Sequence, residues 1–206
     1  MRKGFFITVE GTDGSGKTTQ FKLMANYLRE KGFDVITIRE PGGTPIGEKI
    51  RSIILDPENA EMKDMTELIL YTASRAQLSK EVIEPALATG KLVLCDRFID
   101  SSIAYQGYGR GLSIEFIKEI NETATGRLLP DLTFFFDLAP EHALTRIKGD
   151  SDRLEKQSMD FHKRVYEGYL QIWKWNSERV KRIDCTGTIN EVFNEVIRIL
   201  DREVLI

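Results

Sequence analysis

The chain has 206 residues, 41% hydrophobic and 30% charged, with 29 basic side chains against 32 acidic ones and a formal net charge of −3. That length allows one sizeable core, and no apolar run reaches the length of a membrane-spanning helix. The slight acidic excess, with lysines and arginines scattered along the chain, argues against a nucleic-acid binder, which needs a basic surface to neutralise phosphates.

In chain order, Phe5–Val9 reads as a first strand, an apolar run too short for a signal peptide. A Gly-rich turn and a helix through about Lys31 follow, stopped by Gly32. Val35–Arg39 is a second strand, and a Pro-Gly-Gly turn leads to a helix near Ile46–Leu55, with Ile46, Ile50, Ile53 and Ile54 on one face. A longer helical stretch spans about Asp64 to Ala88, bent before Pro85. Leu92–Cys95 is a third strand without polar alternation, as expected where both faces are covered. Leu132–Phe136 is a fourth, helices follow near Pro140–Ile147 and Glu155–Glu178, then a short strand at Arg182–Asp184 and a last helix from Asn190.

Strands alternating with crossover helices predict an α/β fold, a five-stranded parallel sheet flanked by helices, in a single domain over residues 1–206. The charged break Lys148-Gly149-Asp150-Ser151-Asp152-Arg153 between two helices suits a short mobile lid over about 148–154. Cys95 and Cys185 read as buried thiols of a reducing compartment, which predicts a cytoplasmic protein.

The first chemical signal is Gly11-Thr12-Asp13-Gly14-Ser15-Gly16-Lys17-Thr18, which fits G-x-x-x-x-G-K-[ST] between a strand and a helix. The glycines let successive N–H groups point inward, and the helix N-terminus adds partial positive charge for phosphates. Lys17 is expected to reach the outer phosphates of ATP, and the Thr18 hydroxyl, followed by Thr19, to hold Mg²⁺. Asp13 would be repelled by those phosphates, so it is expected to face an acceptor and take a hydrogen bond from its sugar hydroxyl. Asp96-Arg97 closes the third strand, where ligands of open parallel sheets collect. Asp96 suits Mg²⁺, directly or through water, and Arg97 a phosphate.

Glu10–Thr19, Arg39-Glu40-Pro41-Gly42-Gly43-Thr44, Tyr71-Thr72-Ala73-Ser74-Arg75, Asp96-Arg97-Phe98 and Ser101–Gly111 occur in that order, and the pattern continues to Asp152-Arg153-Leu154-Glu155. The set resembles the bacterial thymidylate kinases, of the nucleoside monophosphate kinase group of P-loop proteins. The resemblance implies transfer of the γ-phosphoryl group of ATP to dTMP, giving dTDP and ADP for dTTP synthesis, and a helix-mediated homodimer. It implies that Arg75 donates to thymine O4 and that Tyr71 stacks on the base, where the family usually has phenylalanine. Arg51 and Arg97 resemble the pair gripping the acceptor phosphate. Ser101, Ser102 and Gln106 resemble the lining of the thymine edge, Tyr105 the ring near the sugar 2′ position, Pro41 a pocket wall, and Arg146 the arginine packing on adenine.

An acceptor phosphate is already ionised at neutral pH, so positioning and charge neutralisation suffice. His142 and His162 are expected only at the surface or in packing. One family type places an arginine in the P-loop and the other places arginines in the lid. Gly14 after Asp13 disfavours the first, so Arg153, with Lys148 second, is expected to bring charge to the transition state alongside Lys17 and Arg97. Two alternatives remain: a kinase of another nucleoside or nucleotide, and a GTP-dependent switch, for which no Asn-Lys-x-Asp segment is found.

Overall fold

The structure, a computed structural model, describes residues 4–146 and 152–205. Five strands, β1 (Phe5–Glu10), β2 (Val35–Arg39), β3 (Leu92–Asp96), β4 (Leu132–Asp137) and β5 (Val180–Asp184), form one sheet in the order β2-β3-β1-β4-β5. Every pairing is parallel. The apolar runs of β1, β3 and β4 bury both faces, with side chains alternating between two layers. Ile7, Val9, Leu94, Phe134 and Phe136 meet Met24 and Leu28 of α1 (Lys17–Glu30) and Val196 and Leu200 of α9 (Ile189–Glu203). Phe6 and Val93 face the opposite layer with Leu78, Ile83 and Phe98, while Phe135 joins Tyr105, Phe161 and Tyr169.

Around the sheet lie α2 (Pro45–Leu55), α3 (Asp64–Leu78), α4 (Glu84–Ala88), α5 (Ile99–Ser102), α6 (Ile114–Thr125), α7 (Pro140–Ala143) and α8 (Met159–Trp175). The long helix expected over Asp64–Ala88 is broken by a π-helical turn at Ser79–Ile83, just before Pro85. A second π-helical stretch, Ile103–Gly109, continues α5. The helix expected from Glu155 starts instead at Met159, where Ser158 Oγ accepts from the Phe161 N–H and sets the first turn. The expected helix to Ile147 is one α turn followed by a 3₁₀ turn at Leu144–Arg146, and Ile147 lies outside the described residues. So do 148–151, which hold most of the expected lid, Lys148 included. Both cysteines are buried and free. His162 is buried and His142 exposed. Among the described residues no helix is long and apolar enough to cross a membrane.

Candidate active site

β1 and β3 are neighbours, with Val9 opposite Asp96, so the loops leaving their C-terminal ends lie side by side. Gly16 closes the first loop in the left-handed region (φ 95°) and starts α1. Gly14 lies against α7: a Cβ there would collide with the Ala143 carbonyl oxygen, so an arginine at this position has no room. The Lys17 ammonium donates to the Thr12 carbonyl at 2.7 Å and stands 3.8 Å from Asp13 Oδ1. Burial and the neighbouring Arg97 pull it down to about 8. Gly11 and Thr12 lie beneath the loop, with Thr12 Oγ1 donating to Leu138 O at 3.2 Å.

The second loop turns sharply at Arg97, a non-glycine residue at φ 68°. Its Nη2 donates to Asp13, and its Nη1 donates to Gly11 O at 3.1 Å and to Tyr169 Oη at 3.2 Å. Burial pushes the Asp13 carboxyl up, but Arg97 and Lys17 outweigh it and hold Asp13 well below the usual carboxylate range. Tyr105 donates its hydroxyl to Asp13 Oδ2 at 3.0 Å and lays its ring against the Arg97 guanidinium. Asp13 thus stands between Arg97 and Tyr105, with Lys17 nearby.

One cleft of about 590 Å³ joins these parts. Residues 13–19 and Asp96 line it. At one end stand Arg146, Cys185, Gly187, Ile189 and Val192, of which only Arg146 was singled out from sequence. At the other end Pro41, Arg51, Tyr71, Arg97, Ser101, Ser102, Tyr105 and Gln106 come together. Arg39 joins them unanticipated: its Nη1 and that of Arg51 both donate to Pro41 O at 3.0 Å, which draws two guanidiniums to one point.

Four expected residues do not line the cleft: Gly11 and Thr12, buried at the start of the loop, and Arg75 and Arg153. Arg75, one helical turn beyond Tyr71, is 1% exposed behind the cleft wall. Its donors are taken by Glu40 (Nε at 2.7 Å), Ser102 Oγ (Nη1 at 2.9 Å), Asn121 and the Phe98 carbonyl (Nη2 at 3.1 Å). Arg153 is 5% exposed, and its Nε donates to Ile54 O at 2.8 Å. Its Nη2 stands 2.6 Å from Glu67 Oε2, a carboxylate that Arg110 and Gln106 also hold. Sequence reading passed over Glu67, although its place one turn before Tyr71 on α3 puts it on the same helix face. Asp152 and Glu155 border the cleft beside Leu154.

The family model described as Thymidylate kinase matches residues 9–196. The chain belongs to the thymidylate kinase family. It is 51% identical over 196 residues to a thymidylate kinase of Exiguobacterium sp., covering 94% of this chain and 92% of that one. It is 52% identical over 200 residues to one from Finegoldia magna, at 96% and 98% coverage. The crystal structure of thymidylate kinase from Ehrlichia chaffeensis superposes with a TM-score of 0.82 at 36% identity, over 96% of this chain and 99% of that one.

Proposed function

We propose that the protein transfers the γ-phosphoryl group of ATP to thymidine monophosphate, giving dTDP and ADP. The observation that carries this reading is the single cleft that joins the phosphate-binding loop 13–19 to a second end where Arg51 and Arg97 meet a slot walled by Pro41, Tyr71, Ser102 and Gln106. Paired guanidiniums beside a polar, ring-lined slot suit an acceptor that already carries a phosphate. ATP would seat its phosphates on residues 13–19 and its adenine between Arg146 and Ile189.

The dTMP phosphate would lie on Arg97 and Arg51, its sugar against Asp13 and Tyr105, and its base on the Tyr71 ring. Donation from Arg75 to thymine O4 requires release of one of its present bonds, and two of them, to Ser102 Oγ and to Glu40, end on residues that border the cleft. Thymine O4 is an acceptor where cytosine presents a donor, so such a site rejects cytosine more strongly than it rejects uracil, which lacks only a methyl group.

The residues also fit Mg²⁺. Asp96 Oδ1 and Ser15 Oγ are buried without hydrogen-bond partners, and Asp96 and Thr18 both line the cleft, a set of hard oxygens suited to a cation that keeps phosphate and water ligands. When bound, Mg²⁺ would neutralise charge on the transferring phosphates. With Arg153 paired to Glu67, Lys17 and Arg97 are the described residues that would bring charge to the transition state.

Exposed Ile46 and Ile53 on α2, Met65 and Ile69 on α3 and Phe116 on α6 give an apolar surface that supports a homodimer. The buried, free cysteines suit the cytoplasm.

A coupled assay of ADP release across the nucleoside monophosphates, with ATP and Mg²⁺, tests the reading. The expected order is dTMP first, dUMP weaker and dCMP weakest. A preference for a purine monophosphate would overturn it.

A further inference from the structure

Glu10, the last residue of β1, is buried and does not border the cleft. Its two carboxyl oxygens nevertheless gather the support of Arg97. Oε1 accepts from the Phe98 N–H at 2.7 Å, immediately after the left-handed turn at Arg97. Oε2 accepts from Ser101 Oγ at 2.6 Å and from Tyr169 Oη at 3.0 Å. Those same hydroxyl oxygens face Arg97, whose Nη1 donates to them at 3.4 and 3.2 Å.

We propose that Glu10 is the positioning residue of Arg97, fixing both its strained backbone and the direction of the hydroxyls that hold its guanidinium. This inference rests on the reading of Arg97 as the grip on the acceptor phosphate. An ionised carboxylate only accepts, so Ser101 and Tyr169 can each turn their single proton to Oε2 and leave their lone pairs to a guanidinium that only donates. An amide in the same place reverses this. If its oxygen keeps the Phe98 N–H, its NH₂ donates to the two hydroxyls and turns their protons toward Arg97. The strain at Arg97 is of the kind that survives only where the surroundings fix it, and it sits at a functional residue. Burial and the Asp100 carboxylate push Glu10 up to about 7, so the accepting form prevails at higher pH.

The experiment is a double-mutant cycle of Glu10→Gln and Arg97→Ala, assayed at about pH 8, where Glu10 is ionised. For Glu10→Gln alone, kcat/KM for dTMP is expected to fall by about tenfold or more, while KM for ATP stays within about twofold. In the Arg97→Ala background the same change is expected to cost nothing further. If Arg97→Ala itself leaves kcat/KM for dTMP intact, the acceptor reading fails. If Arg97→Ala is damaging but Glu10→Gln is silent, or its effects on the two substrates are equal and add to those of Arg97→Ala, Glu10 is only structural and the inference is overturned. Should Glu10→Gln not fold, Tyr169→Phe keeps the ring stacked on Phe135 and removes one hydroxyl of the clamp. It is expected to show the same acceptor-selective loss, and equal effects on both substrates would again overturn the inference.

Discussion

Lys17 shows how a single buried charge can report on ligand binding. Burial and Arg97 lower it to about 8, and a polyphosphate beside it reverses that by adding negative charge. A raised pKa on binding means proton uptake, largest when the solution pH is at or above the value in the free protein. Calorimetric titration with a non-hydrolysable ATP analogue at about pH 8.5, in buffers of different ionisation heat, should show uptake of a fraction of a proton, smaller at about pH 7.5 and smaller again in Lys17→Arg, whose guanidinium stays charged. Heats independent of the buffer would mean that Lys17 is fully charged throughout. Arg153 gives a second test at this scale. Held by Glu67 and the Ile54 carbonyl, it should matter more to folding than to transfer. Arg153→Ala is expected to lower kcat by less than about tenfold, under roughly 1.4 kcal/mol of barrier. Because Glu67 keeps Arg110 and Gln106, the stability loss should stay at about 1–3 kcal/mol, read by chemical denaturation. A hundredfold fall in kcat at unchanged stability would instead place Arg153 at the transferring phosphate. Local spacing made the phosphate-loop motif legible, since it is a pattern within a few residues, whereas Tyr71 and Arg75 were pointed to only by the family resemblance. The partners of Arg75 and Arg153 were not legible, because Glu40, Asn121 and Glu67 arrive from other elements and no local pattern links them.

At the scale of elements, periodicity located every strand and misjudged helix ends. The π-helical turn at Ser79–Ile83 keeps the apolar pattern nearly continuous across a bend, and only Pro85 marked it. The start of α8 depended on one side chain, Ser158, which an apolar pattern does not weigh. Caps of this kind carry measurable energy. α9 opens with Thr188 and Glu191 bonded to each other's backbone N–H, so Thr188→Ala should cost about 1 kcal/mol, seen as a fall in Tm of about 2–4 °C. Unchanged melting would mean that α9 is held by packing alone. Close approach matters more on α8, where a Cβ at Gly168 would press on the Tyr108 ring of the second π-helical stretch. Gly168→Val should therefore destabilise by about 1–3 kcal/mol, as overpacking does. It should also weaken dTMP binding, since that stretch carries Tyr105 and Gln106. Wild-type stability would show that Tyr108 swings aside freely.

For the whole molecule, the exposed apolar residues of α2 and α3 lie on helices that also supply Arg51 and Tyr71 to the cleft. The proposed homodimer would bury that patch, so Ile69→Glu is expected to sediment as a monomer while the unaltered protein sediments as a dimer. If both sediment alike, this patch is not an interface between copies. The fold class was legible because parallel strands buried on two sides leave unbroken apolar runs, whereas an assembly face is written in the same residues as a core and differs only in what covers it. The adjacency of β1 and β3 has a further consequence. Donor and acceptor loops are mounted on neighbouring rungs of one hydrogen-bonded ladder, about 4.8 Å apart. On the proposed reading, the strand ladder sets the distance of phosphoryl travel, while the walls of the base slot come mostly from elsewhere: Pro41 after β2, Tyr71 on α3, Ser102 on α5 and Gln106 on the second π-helical stretch. A change of accepted base can then be sought in those walls with the β1–β3 ladder left untouched.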